Sequence, residues 1–565
     1  MLALPNECLF EIFNNLRTNY KRLFSCLLVN RHWCRIIIPI LWREPLKHVN
    51  NRKLISSYLL ALNAEEQALL IPFKIILPNY SNPLFEYTSY TEVVGRFLYD
   101  GITSWLNEGY YKPRIHDFDE RVSAVRSSLI AMFLRTKSCC NHFGSVGIKA
   151  LMEAISKFTY LTSLKIYDRL SSENVKSLAE ALCKNISLTS LSLGKISIGI
   201  EESKALMEAL CKTTSLTSLD LKGCNFSTES CKTLVKAFQI NDTITSLDLY
   251  GVGFSIEGGK ALAEALCMNN TLISLNIGSN DIDIEGGKAL AKVLDKNTTL
   301  TSLDLRKNNI GIEGTKALAK ALYKNTSLTS LNLSNNNIAL EGIKALVEAF
   351  YKNTALTSLD LGYNNIDSEG VKALAKTFCK NTTITSLILN NNKINAEGGK
   401  ALANALCMNT TLISLDLWGN QLESEGGNSL AEALYINTTL SSLNLGINNI
   451  GTEGAKALAN ALCKNTSLTS LCLSQNSIDS EGVKALAEAL SRNTTLTSLF
   501  LSSNNIGDEG GKLLAKALHV NTALNCLVLH HANIGIEGGK KLVEAFHKNN
   551  TLTSLHFLIG NNISY

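Results

Sequence analysis

The chain contains no apolar run long enough to span a membrane. Its opening, Met1-Leu2-Ala3-Leu4-Pro5-Asn6-Glu7, lacks the basic segment and apolar core that direct secretion. There is no Lys/Arg block and no acidic tail: 54 basic and 49 acidic side chains leave a formal charge of +5, too even a balance to specify a polyanionic partner. The resulting expectation is a chain of the cytoplasm or nucleus that binds neither membrane nor nucleic acid.

Motifs of catalysis and cofactor binding are missing as well. The recurrent phrase Gly286-Gly287-Lys288-Ala289 is not a phosphate loop, because Ile282 stands where the first glycine is needed and Ala289 where a hydroxyl should hold magnesium. The nine histidines form no Cys/His spacing suited to zinc, and no Ser/His/Asp or Cys/His grouping emerges. No cofactor, metal or catalytic residue is expected.

The 15 cysteines are an odd number, and six of them (Cys183, Cys211, Cys267, Cys379, Cys407 and Cys463) are separated by multiples of 28 residues. A disulfide framework would not place them one per repeat. As small soft side chains in a helix core they imply a reducing compartment.

That period dominates the chain. The phrase Leu-Thr-Ser-Leu-x-Leu starts at Leu188 and recurs every 28 residues to Leu552, with one further copy at Leu161, which makes 15 expected strands. In the unit from Leu300 to Ser327, Leu300, Leu303 and Leu305 point inward along a short strand. Asn308 and its equivalents form a column able to satisfy backbone groups where each coil leaves the strand. Ala317, Leu318, Ala321 and Leu322 recur at helical spacing, and Asn325 is expected to end the helix as a left-handed cap. Asn325-Thr326-Ser327 also matches a glycosylation sequon, which the capping role makes unnecessary.

This pattern resembles the ribonuclease-inhibitor class of leucine-rich repeats. The resemblance implies an α/β leucine-rich-repeat solenoid, a horseshoe with a parallel inner sheet and outer helices, over 147–565. A single repeat cannot bury its own apolar face, so stability comes from stacking. The first coils are atypical, with Ile196, Cys224 and Val252 in the asparagine column and an incomplete opening helix from Gly147 to Lys157. After Leu552 a final strand is expected, with no closing helix before Tyr565.

A different pattern occupies residues 1–45. Leu4-Pro5-Asn6-Glu7-Cys8-Leu9-Phe10-Glu11-Ile12-Phe13 places proline where a first helical turn tolerates it, and Leu9, Ile12, Phe13 and Leu16 form a stripe. Cys26-Leu27-Leu28-Val29-Asn30-Arg31-His32-Trp33 follows, then Pro39-Ile40-Leu41-Trp42-Arg43. In that order these segments resemble an F-box, a small all-α module. The resemblance implies docking on the Skp-type linker subunit of a cullin ubiquitin ligase. Leu4, Pro5, Leu9, Ile12 and Leu16 would contribute most, with Leu27, Val29 and Trp33 beside or beneath the contact. The other reading of these apolar residues is a bundle core.

Residues 46–146 lack the 28-residue register and are expected to be mostly helical, with a helix around Leu54 to Leu62 and breaks at Pro72, Pro78 and Pro83.

Alternation along each strand places residues two, four and six after each start on one open face. The first of these columns is serine, the second is rich in Asp and Asn, and the third varies. Tyr250, Arg306, Trp418 and His530 stand in the third, Tyr363 one place beyond it, and Phe500 replaces an acidic residue. Exposed aromatics and arginine are the usual anchors of protein interfaces, so these six are the expected contacts for a protein cargo. Together the two resemblances imply a non-catalytic substrate-recognition adaptor of a Skp–cullin–F-box ubiquitin ligase. The alternatives are a ligase-independent scaffold or sensor, and a GTPase-activating protein of the Ran type, a family whose acidic tail is missing here.

Overall fold

In the computed structural model the described residues run unbroken from 170 to 562. Before them stand 52–75, 77, 97–108, 115–136, 140–141, 151–152, 155 and 162–166, with Phe13, Cys26, Trp33, Ile36, Ile37, Ile38 and Ile40. The chain divides into two compact units, Met1–Phe254 and Ser255–Tyr565.

In the first unit Phe13, Ile37 and Ile40 form a buried cluster, packed against by Cys26, Trp33 and Ile36. The rings of Phe13 and Trp33 meet edge to face at 5.0 Å, a geometry that favours the aromatic quadrupoles. Among the described residues of 46–146, Arg52–Leu59, Ala64–Ala68, Phe97–Glu108 and Ile115–Thr136 are helices. Tyr58 and Phe133 are buried in edge contact at 4.9 Å, and Trp105 Nε1 donates to Ser56 Oγ at 3.0 Å. Asn63 and Glu66 close a reciprocal capping box at the start of Ala64–Ala68, each side chain accepting the other's backbone N–H.

The parallel sheet of this unit begins earlier than the 28-residue register implies. Cys140–Asn141 pairs with Ser163–Ile166, so the boundary expected at 146 falls inside the sheet rather than before it. Leu151, Met152 and Ile155 are helical and buried, in line with an opening helix there. The strands Ser190–Leu193, Ser218–Asp220 and Ser246–Asp248 follow, serine opposite serine. In these coils Ile196, Cys224 and Val252 fill the asparagine column and are fully buried. Cys224 Sγ donates to Leu193 O at 3.1 Å, but isoleucine and valine cannot bond the turning backbone, and there the chain satisfies it by pairing once more. The strands Ser197–Ile198 and Asn225–Phe226 lie parallel, Asn225 N donates to Ile196 O at 2.8 Å, and Phe226 N to Val252 O at 3.1 Å.

The second unit holds eleven parallel strands among its described residues, from Ser274–Asn276 to Ser554–His556, all in 28-residue register. In the coil starting at Leu300, the side chains of Leu300, Leu303, Leu305, Ile310, Leu318 and Leu322 are at most 2% exposed, each contributing on the order of 2 kcal/mol by burial. Ala319 joins them, whereas Ala317, expected on that face, is half exposed. Threonine hydroxyls of the repeated phrase donate to the preceding coil, as from Thr329 Oγ1 to Thr301 O at 3.1 Å.

Two asparagine columns stitch the coils. In the first, Asn308 Nδ2 donates to Ile277 O and Leu305 O at 2.9 and 3.0 Å, and its own N–H donates to Asn336 Oδ1 at 3.0 Å. The second overturns the left-handed cap. Asn409 in that column is extended, with φ −80° and ψ 130°, and Asn325 has no positive φ. Asn325 instead reaches back one coil, Nδ2 donating to Leu294 O at 2.9 Å, while Oδ1 accepts from Ser327 N and Leu328 N at 3.1 and 2.8 Å. The nitrogen that would carry a glycan is buried in that bond.

The cysteine column also departs from expectation. Cys183, Cys267 and Cys463 are exposed, and Cys211, Cys379 and Cys407 partly so. Each follows a buried leucine, or Phe378 in the case of Cys379, by one residue, a turn of about 100° that swings it off the core face. The same column holds Tyr323, Tyr351 and Tyr435, 44–49% exposed, so it says nothing of a core and carries no argument about compartment.

Glycine doublets at the helix starts allow close approach of neighbouring helices. A Cβ at Gly399 would lie 3.2 Å from Gly426 Cα, and one at Gly511 3.2 Å from Gly538 Cα. Ile447 is the one β-branched residue of its column in this unit and holds φ 52°, where Asn335, Asn391, Gly419 and Gln475 are among the equivalents that bear a left-handed backbone more easily. Ile447→Asn is expected to stabilise the second unit by about 1 kcal/mol, read as a higher urea midpoint; a lower midpoint would show that the strain is not there.

Candidate protein-binding face

The open face of the second unit follows from alternation. In each strand but the last, Ser554–His556, the middle leucine is buried and its two neighbours are half exposed, as in Ser302–Asp304 and Ser414–Asp416. Aspartate and asparagine in the second column have a structural task. Their Oδ1 accepts the N–H two residues on, where the chain leaves the strand: Arg306 N to Asp304 at 2.9 Å, Gly362 N to Asp360 at 2.9 Å, Trp418 N to Asp416 at 2.9 Å and Ser334 N to Asn332 at 2.9 Å. Burial raises the carboxyl pKa of Asp360 and Asp416, opposed by these N–H donors.

Besides the last strand, which ends in His556, four strands of this unit depart from the pattern. Ile388, Cys472, Phe500 and Val528 cannot accept that bond, yet they sit half exposed on the face. Cys472, Phe500 and Val528 stand side by side in register on three consecutive strands, and Cys526 replaces the usual serine beside them. This apolar patch is the feature of the face that folding leaves unexplained. Phe500 was legible from its replacement of an acid; Cys472 and Val528 were missed, although the same absence of an Asx side chain marks them.

The expected anchors fall into three groups. Phe500 lies within the patch, and His530 stands two residues past the end of the adjacent strand, Cys526–Val528. Burial, then His556 and His531, lower the His530 pKa, and its ring lies 5.9 Å from that of His556. Trp418, Tyr363 and Arg306 are further along, two coils apart from one another, or about 10 Å at the spacing of strands. Trp418 is half buried across the next coil: a Cβ at Gly446 would meet its Cδ1 at 2.5 Å. Arg306 is held by Asp304, Nε donating to Oδ2 at 2.7 Å, with a second, closer contact from its terminal nitrogen. Tyr363 is half exposed on a left-handed backbone, φ 57°. Tyr250 belongs to the first unit, where Lys222 Nζ lies 5.0 Å from its ring centre.

Of the residues expected to meet a Skp-type subunit, Leu4, Pro5, Leu9, Ile12, Leu16, Leu27 and Val29 lie outside the described residues. Trp33 is described, half buried in the cluster with Phe13. Among the described residues no group of three or more His, Cys, Asp or Glu side chains is arranged to hold a metal ion, and no helix is long and apolar enough to cross a membrane.

Comparison with known proteins gives two family matches: residues 219–564 match the NLRC3 LRR domain, and residues 1–48 an F-box-like domain. A search of the curated proteins finds no match. Similar solved structures include the yeast Rad7 and Elc1 complex, 19% identical with a TM-score of 0.41, covering 68% of this chain and 88% of that one. An internalin of Listeria monocytogenes is 18% identical with a TM-score of 0.36, covering 73% and 89%. The leucine-rich repeat-containing protein LegL7 of Legionella pneumophila is 23% identical with a TM-score of 0.35, covering 51% and 94%. The chain belongs to the leucine-rich-repeat family described as the NLRC3 LRR domain, joined to an F-box-like domain at its N-terminus: it is an F-box/leucine-rich-repeat protein.

Proposed function

We propose that this protein is a non-catalytic substrate receptor of a Skp–cullin–F-box ubiquitin ligase, working in the cytoplasm or nucleus. The observation that carries the reading is the union of an F-box-like domain over 1–48 with a repeat domain over 219–564 in one chain. The F-box docks on the Skp-type subunit through Leu4, Pro5, Leu9, Ile12 and Leu16. The open strand face holds a target protein through Phe500, His530, Trp418, Tyr363 and Arg306, with Tyr250 contributing from the first unit. Holding a target beside the ligase raises the effective concentration of its lysines, which is all that an adaptor has to supply.

The test is co-purification of the full chain with a Skp-type subunit. Changing Leu4→Asp, Pro5→Ala and Leu9→Asp together is expected to lower recovery of that subunit at least about a hundredfold, since interface anchors of this kind carry about 2 kcal/mol or more each. Failure of the intact chain to bind any Skp-type subunit would sink the reading. Targets whose abundance ignores proteasome inhibition would instead favour a scaffold that uses the F-box only for docking.

A further inference from the structure

Four successive helices of the second unit, Asp283–Leu294, Gly311–Leu322, Ala339–Phe350 and Ser368–Phe378, carry two rows of lysine that differ in kind. The row nearer the helix starts is neutralised within each helix. Lys288, Lys316 and Lys344 each lie 2.7 Å from a glutamate three residues before, and Lys372 lies 3.0 Å from Glu369. The row at the helix ends is open. Lys292, Lys296, Lys320, Lys324, Lys352, Lys376 and Lys380 are all exposed, and none of them is in an ion pair. In the same last turns and the residues that follow, only Asp295 and Glu348 carry the opposite charge.

The repeat does not require this second row. A cation near the carbonyl end of a helix is favourable, but coils on either side fold without one. Met268 precedes the row in the column of Lys296, Lys324, Lys352 and Lys380, while Met408 and Ile436 follow it; these three are 73%, 66% and 61% exposed. The positive charge is therefore unbroken over these four coils and bounded on both sides by exposed apolar residues, the column turning basic again at Lys212 before them and at Lys464 and Arg492 after them.

A groove of about 580 Å³ opens beside the row, over the Ser368–Phe378 helix. It arises because three side chains shrink together from one coil to the next: Leu340 to Ser368, Val347 to Ala375 and Tyr351 to Cys379. Its floor and walls include Leu340, Val347, Tyr351, Ala373 and Ala401, and its rim Lys376 and the Lys372–Glu369 ion pair. The volume suits one or two apolar side chains.

We propose that this helical face docks an acidic peptide segment of a partner protein, with carboxylates along Lys324, Lys352 and Lys380 and one apolar side chain in the groove. Helices in contact are about 8–10 Å apart, so an extended segment meets successive lysines with every third residue. Carboxylates fit better than phosphates: all seven cations are lysine, without the bidentate fork that makes arginine the stronger reader of phosphate. The groove is mostly aliphatic, unlike the aromatic platforms on which bases stack. The groove within the lysine row is also recessed, and the apolar side chains that project, Met268, Met408 and Ile436, stand outside the row rather than among its cations, unlike a membrane-binding face. This face is separate from the strand face and does not depend on the ligase reading.

The experiment is fluorescence anisotropy on the full chain at low salt. Its probe is a labelled glutamate-rich peptide about 15 residues long, acidic at every third position, with one central leucine. Saturable binding is expected, weakened at least about thirtyfold by K324E/K352E/K380E together. About a tenfold loss is expected from Ala401→Trp, which fills the groove without changing charge, and from serine in place of the peptide's leucine. Lys324, Lys352 and Lys380 are exposed and Ala401 half exposed, so the core stays intact, and circular dichroism checks that. No binding by the intact chain, or equal binding by the triple variant, overturns the proposal. So does tighter capture of a single-stranded oligonucleotide, or of phosphatidylserine vesicles, lost in the same triple variant.

Discussion

Asn364→Ala is expected to destabilise the second unit by about 4 kcal/mol, on the order of a large core truncation. Asn364 is fully buried. Its Nδ2 donates to Leu333 O at 2.9 Å and to Leu361 O and Gly362 O at 3.1 Å, and its Oδ1 accepts from Asn336 N at 2.8 Å. Alanine leaves these groups in a space from which water is excluded, and a buried polar group without a partner costs about 1–3 kcal/mol. Asn364→Asp is expected to be at least as damaging, because an isosteric carboxylate would face carbonyl oxygens it cannot donate to. The measurements are the urea midpoint and amide exchange at Asn336, whose N–H should lose protection. A loss below about 1 kcal/mol would mean that the column is ornamental and that leucine packing alone holds the coils.

The comparison of this column with its neighbours shows what a sequence can and cannot disclose. Asn364 was legible because one residue type recurs at one place in each coil, and because its chemistry, both donor and acceptor, fits a turning backbone. The same logic misread Asn325, whose defining partner is Leu294 O, 31 residues back; rules for helix ends see only adjacent residues. Periodicity also misplaced the cysteines. A 28-residue spacing proves that Cys379 and Cys407 occupy equivalent sites, but only their rotation from Phe378 and Leu406 reveals that those sites face outward. Cys140–Asn141 was hidden because no leucine pattern marks it. On the open face the aromatics were visible in the sequence. The packing of Trp418 over Gly446 was not, since it joins residues 28 apart in different coils.

That distinction among the anchors leads to the sharpest functional test. Phe500→Asp with Val528→Asp is expected to abolish target capture while leaving the fold as stable as before. Ordinarily a charge placed on a half-buried sheet position would confuse loss of binding with loss of structure. Here the repeat itself supplies the control: Asp304, Asp360 and Asp416 occupy the equivalent positions, each accepting an N–H two residues on. A carboxylate at 500 finds Ser502 N in the same relation, and one at 528 finds His530 N, which now donates to Ser502 Oγ at 3.2 Å. The urea midpoint should therefore hold or rise slightly. Removing two adjacent apolar anchors and burying charge against a partner should weaken binding by a factor of about a hundred or more, at about 2 kcal/mol or more per anchor. Proteins that co-purify with the intact chain should vanish, while the Skp-type subunit, which on the proposed reading binds through the F-box, should remain. If the same proteins are recovered at the same level, the apolar patch is not the target site. The contact would then have to rest on the separate group of Arg306, Tyr363 and Trp418, for which Trp418→Ala becomes the decisive substitution.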